Sequence, residues 1–191
     1  MKIATLLLFL TTFSCIAFAD DPDSLSSPSH YVTGFAGRSI QIFGSEDGRF
    51  GGGFAYAYGQ PEPRFSYGKI KAQLVYEGYV DHTQSNGGSG FSRNATFGFG
   101  TLAYGRWRWP MDQYGNGVYF DLGAGLQLAT QTTLDLESEL NSTPMMDFGG
   151  VFRDGHTEYF IGFRFLHISN AGTVRPNYGQ NELFFTLGFR Y

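Results

Sequence analysis

Of 191 residues only 16% are charged and 18% are aromatic; 27 are glycine, and the formal net charge is −4. The length suits one domain with a sizeable core, and the composition departs from soluble averages. No run of Lys or Arg supplies the electrostatic footprint that nucleic-acid binding needs, which excludes that class of partner.

Residues 1–19 read as a secretory signal peptide. Lys2 gives the positive n-region, Leu6 to Phe18 the apolar h-region, and Ala17-Phe18-Ala19 a small-x-small cleavage site. The apolar run is shorter than the roughly 20 residues that cross a bilayer as a helix. A lipoprotein signal on Cys15 lacks the aliphatic residue expected three places earlier, because Thr12-Phe13-Ser14 precedes it. The expectation is export with cleavage near Ala19, a flexible polar lead-in over 20–30 and a folded unit over 31–191. Cys15 is the only cysteine, so no disulfide forms after cleavage.

Beyond the lead-in there is no helical period. Segments of about ten residues alternate apolar with small or polar, the pattern of a transmembrane β-barrel. Val118 to Thr130 is the clearest: Val118, Phe120, Leu122, Ala124, Leu126 and Leu128 alternate with Tyr119, Asp121, Gly123, Gly125 and Gln127. Eight strands are expected, over 31–43, 51–60, 66–81, 94–107, 117–130, 144–153, 157–169 and 181–191, the first with a bulge near Gly37. The fold class is all-β, an eight-stranded antiparallel transmembrane β-barrel. Lys69, Lys71, Glu77, Arg106, Asp121, Asp147, Glu158, Arg164 and Arg190 read as a paired network in a side-chain-filled lumen. Long connections at 44–50, 82–93, 131–143 and 170–180 share one end, taken as extracellular, and short turns share the other. A bacterial outer-membrane location follows.

On the seventh strand Phe163, Phe165, His167 and Ser169 share the lipid-facing row, at the end nearest the long loops. A serine hydroxyl needs a neighbouring base, and the base needs a group that fixes its tautomer. Asn181 on the last strand has the right parity; if it faces His167, then Phe165 meets Leu183 and Phe163 meets Phe185. A slip of two residues would set it opposite Ser169 instead. Glu182 is the fallback third member, although parity turns it into the lumen unless a bulge intervenes. Asn170 is a candidate oxyanion donor, helped by backbone N–H groups around Ala171 and Gly172. His30, His82 and His156 read as exposed loop or turn residues without a spaced ligand set, so no metal site is expected. Trp107 and Trp109 read as interfacial aromatics.

His167-Ile168-Ser169-Asn170-Ala171-Gly172 with Pro176-Asn177-Tyr178-Gly179-Gln180-Asn181 resembles the signature of the lipid A 3-O-deacylase family of outer-membrane barrels. Weaker likenesses lie in Val75-Tyr76-Glu77-Gly78 and Met146-Asp147-Phe148-Gly149-Gly150. The resemblance implies an eight-stranded barrel that hydrolyses the ester-linked 3-hydroxyacyl chain of lipid A in the outer leaflet. Carried over, Ser169 is the nucleophile, His167 the base and Asn170 the oxyanion donor. The family carries Glu fourteen residues after the His; here that place holds Asn181, with Glu182 beside it. An Asn there is similar to outer-membrane phospholipase A, a calcium-using dimer. Calcium and the choice between monomer and homodimer therefore stay open. The alternatives are a phospholipase-type esterase and a non-catalytic structural or ligand-binding barrel.

Overall fold

The computed structural model describes residues 28–67, 70–85, 95–155, 157–175 and 177–191. The proposed signal peptide, most of the lead-in, Lys69, much of the 82–93 loop, His156 and Pro176 lie outside them. The described chain forms β1 (Ser29–Ser39), β2 (Arg49–Tyr67), β3 (Ile70–Ser85), β4 (Ala95–Pro110), β5 (Gly117–Ala129), β6 (Leu140–Ser142), β7 (Met145–Asp154), β8 (Thr157–Ile168) and β9 (Gln180–Arg190). Every pairing is antiparallel, and apart from β5–β7 and β1–β9 each joins strands that follow one another in the chain. β9 returns to β1, and the β4–β5 pairing closes the sheet into a barrel.

β6 and β7 together make one wall. Both pair with β5, and the break between them falls at Thr143-Pro144. A proline has no N–H for the ladder, which explains the interruption; the Pro144 carbonyl still accepts from His167 N at 2.9 Å. The result is the expected barrel of eight staves, one of them broken.

Alternation sorts the side chains. Phe97, Phe99, Leu126, Leu128, Phe148, Phe163, Phe185 and Leu187 point outward, where hydrocarbon solvates them. The odd positions of β1 and β5 and the even positions of β8 turn inward. There Arg164 makes a forked pair with Glu77 at 2.6 and 3.1 Å and reaches Asp147 at 3.0 Å. Arg106 pairs with Asp121 at 2.9 and 2.6 Å and lies over the Tyr31 ring. Glu158 joins Arg108 to Arg190. Charges this deeply buried persist only because each has an opposite charge and hydrogen bonds. The lumen is full: a Cβ on Gly100 would lie 2.1 Å from the Tyr79 ring.

Four details differ from expectation. β1 begins at Ser29, so His30 belongs to a strand; it stacks with Tyr56 and Tyr191 and shares a hydrogen bond with Tyr56 Oη. His82 lies in β3, its ring tilted against that of Phe97. The register runs unbroken through Gly37, and the irregularity falls instead in β2 between Gly59 and Phe65, where Pro61 and Pro63 interrupt the ladder. Beside that slip Ala72 and Gln73 are both buried, whereas Lys71 is exposed rather than buried with the lumen charges.

At the short-turn end, Asp112 closes the β4–β5 turn by accepting from Asn116 Nδ2 (2.7 Å), Asn116 N (2.9 Å) and Tyr114 N (3.0 Å). The Asn116 amide, first among these donors, holds the carboxyl below the usual range. The opposite end carries the long connections and the chemically suggestive residues.

Candidate active site

β8 ends at Ile168, and Ser169 continues as a single bridge to Ser142. β8 and β9 pair with His167 opposite Asn181, Phe165 opposite Leu183 and Phe163 opposite Phe185. The slip by two residues does not occur. His167 Nδ1 and Asn181 Oδ1 are 2.7 Å apart.

The orientation of the Asn181 amide follows from its other contact. Asn181 Nδ2 donates to the carbonyl of Ile42 at 2.7 Å, and a carbonyl can only accept. The amide oxygen must therefore face the imidazole and accept from it. Nδ1 then carries the proton, and Nε2 keeps its lone pair.

Asn181 sits on the outward row of β9, yet it is fully buried because the β1–β2 connection covers it. That connection is held by Asp135, whose buried carboxylate accepts from Ser45 Oγ (2.8 Å), Asp47 N (2.8 Å) and Glu46 N (3.0 Å). Ile42 and Phe43, beside the clamp, are exposed, and Phe43 has a φ of 54°. An apolar tip of this kind at the rim of a bilayer-facing wall suits contact with acyl chains.

Glu182 faces the other way. It is buried on the lumen side, hydrogen-bonded by Gln180, with Oε2 unpartnered among the described residues. It does not approach the imidazole, in keeping with its parity.

Ser169 is half-buried, as is His167. The hydroxyl of Ser169 lies 3.3 Å from Ser142 Oγ, and no hydrogen bond joins it to the imidazole in this conformation. The imidazole is wedged on its far side by Gly179, whose φ is 72°; a Cβ there would lie 2.7 Å from His167 Cε1 and 3.3 Å from Nε2.

The 170–179 connection is built around Asn170. Its Nδ2 donates to Val174 O at 2.9 Å, its Oδ1 accepts from Gly172 N at 2.9 Å, and its own N–H goes to Asn177 Oδ1 at 3.1 Å. The Gly172 N–H is thus spent on Asn170, while the Asn170 amide keeps a second proton. Positive φ at Ala171 and Gly172 makes this tight turn.

Sequence reasoning missed several of these residues. Gly179 lay inside the motif, and a glycine beside a candidate base was its only signal. Ser142 falls within the connection expected over 131–143, since a strand of three residues shows no alternation. Ile42 contributes a carbonyl, which no residue type announces. Among the described residues no group of three or more His, Cys, Asp or Glu could hold a metal ion.

No curated protein sequence matches the chain. A solved structure described as the outer membrane enzyme PagL matches the fold with a TM-score of 0.58 and 17% identity, over 83% of this chain and 97% of that chain. The family model for lipid A 3-O-deacylase (PagL) matches residues 50–190, which run from the second residue of β2 through β9 and include the whole His167–Asn181 segment. A closed eight-staved barrel and a match across most of its length give one conclusion: the chain belongs to the lipid A 3-O-deacylase (PagL) family of outer-membrane hydrolases.

Proposed function

We propose that Ser169, His167 and Asn181 form the triad with which this barrel hydrolyses the ester-linked 3-hydroxyacyl chain of lipid A. The observation that carries this reading is the 2.7 Å contact of His167 Nδ1 with Asn181 Oδ1 on the outward wall. It leaves Nε2 basic, two residues from a serine on the same row.

In the first half-reaction Ser169 Oγ attacks the ester carbonyl carbon while His167 Nε2 takes its proton. The oxyanion is met by the second amide proton of Asn170, with the Gly172 N–H fixing that amide as the Ile42 carbonyl fixes Asn181. Collapse breaks the bond to the lipid A 3-oxygen, which leaves with the proton held by His167. Water then attacks the acyl-serine, again giving its proton to His167; collapse breaks the acyl–Oγ bond, Ser169 Oγ takes the proton back from His167, and the fatty acid departs. Asn181 keeps the tautomer but adds no charge to the imidazolium, so activation is weaker than with a carboxylate.

The long connections support an extracellular placement of this end, hence access from the outer leaflet. Residues 1–19 would direct export, with cleavage near Ala19. All the proposed groups come from one chain, so a monomer is sufficient.

The test is lipid A mass spectrometry on cells that display the protein and carry intact lipid A. Loss of one ester-linked hydroxyacyl chain is expected, absent in Ser169→Ala. A glycerophospholipid is the competing substrate, favoured by the Asn in third place; cleavage of phospholipid with unchanged lipid A would select it.

A further inference from the structure

We infer that Ser142 is a second oxyanion donor, its hydroxyl completing a hole in which Asn170 supplies only one proton. This rests on the assignment of Ser169 as the nucleophile.

Tetrahedral intermediates of acyl transfer are usually met by at least two donors. In this site the Gly172 N–H is committed to Asn170 Oδ1, and one of the two Asn170 amide protons goes to Val174 O. The hydroxyl within reach of Ser169 Oγ is that of Ser142, at 3.3 Å. Its position is fixed by the backbone. Ser142 N donates to Ser169 O at 2.7 Å, and Ser169 N donates to Ser142 O at 3.0 Å. Two residues that exchange both bonds in an antiparallel bridge project their side chains to the same face. Ser142 is thus tied to the nucleophile from the neighbouring stave, on the outward side where the ester must lie.

At rest Ser142 Oγ donates to the Ser169 carbonyl at 2.9 Å. A neutral carbonyl is a weaker acceptor than an oxyanion, and a hydroxyl proton rotates freely between acceptors a few ångströms apart. As negative charge develops on the substrate oxygen next to Ser169 Oγ, the Ser142 proton swings to it. No covalent bond to Ser142 forms or breaks. Backbone pairing continues past Ser142, where Thr143 exchanges both bonds with Gly125 and the Pro144 carbonyl accepts from His167 N, so the Ser142 backbone is held on both sides of the bridge.

The test is steady-state hydrolysis of lipid A in detergent micelles by the purified full barrel, comparing wild type with Ser142→Ala, Ser142→Thr and Ser169→Ala. Ser142→Ala is expected to lower kcat by about 10²-fold with KM nearly unchanged, the signature of a lost oxyanion donor. Ser142→Thr, which restores the hydroxyl, is expected to recover most of the loss. Resistance of the unheated barrel to SDS unfolding reports the fold in each case. A folded Ser142→Ala variant with wild-type kcat beside an inactive Ser169→Ala would overturn the role of Ser142 and leave the nucleophile standing. So would a loss confined to KM, or a folded threonine variant as slow as alanine. An active Ser169→Ala would instead overturn the assignment on which the inference rests.

Discussion

The carbonyl of Ile42 stands 2.7 Å from Asn181 Nδ2 and thereby decides which way the Asn181 amide faces His167. This contact also explains why an amide suits the place where the family pattern carries Glu. An ionised carboxylate would present an oxygen to another oxygen at that distance, whereas the amide offers a donor to Ile42 and an acceptor to the imidazole. The tautomer of His167 is therefore set by a loop from the other end of the sequence.

Asn181→Ala removes the acceptor that fixes the imidazole. Loss of tautomer control costs about 10⁴-fold where the third member is a carboxylate; a loss of about 10² to 10³ in kcat is expected here. Glu182→Gln, on the lumen side, is expected to keep near wild-type rates. Initial-rate assays of the two variants check this, and loss confined to Glu182→Gln would contradict the role of Asn181.

Gly179→Ala places a Cβ 2.7 Å from His167 Cε1 at a φ of 72°, so both the ring and the backbone must shift. Displacement of a reacting group by about 1 Å costs on the order of 10²-fold. The barrel should still fold, because the change lies in a connection at its rim. Activity and SDS resistance measured on the same sample separate the two effects.

Asp135→Ala withdraws the acceptor that holds Ser45, Glu46 and Asp47. The 40–48 connection should loosen and carry Ile42 with it. We expect kcat to fall about tenfold, equivalent to about 1.4 kcal/mol, the scale of a lost hydrogen bond to a charged group. Limited proteolysis should find a new cut within 40–48. Asp112→Ala, in the turn at the opposite end, should change neither.

Arg164→Met strands Glu77 and Asp147 in the lumen without their shared cation. Removing one partner from a buried ion network costs about 3–5 kcal/mol. Urea unfolding should shift to lower denaturant concentration, while the protein that remains folded keeps its kcat.

Much of this was legible in the sequence for a physical reason. A two-residue period survives wherever a wall has oil on one side and a crowded polar lumen on the other. It gave β5 and β8 closely and fixed which side of β9 Asn181 and Glu182 occupy. The pairing of His167 with Asn181 followed from the same period combined with the aromatic row at Phe163 and Phe165. Where prolines or short bridges break the period, the signal vanished: β2 runs on past Gly59 through a register slip, Lys71 beside it is exposed, and β6 is too short to alternate. Contacts made by a backbone carbonyl, such as that of Ile42, or by a carboxylate that binds mainly backbone N–H groups, such as Asp135, leave no mark in residue identity.

The central claim is that Ser169 on the outward wall is the nucleophile. Its most direct test is to treat the folded barrel in micelles with an alkyl fluorophosphonate and locate the adduct by peptide mass spectrometry. The account predicts one adduct on Ser169, formed in step with loss of lipid A hydrolysis and absent in His167→Ala. An inactivating adduct on Ser142 or another residue, with Ser169 unmodified, would contradict it.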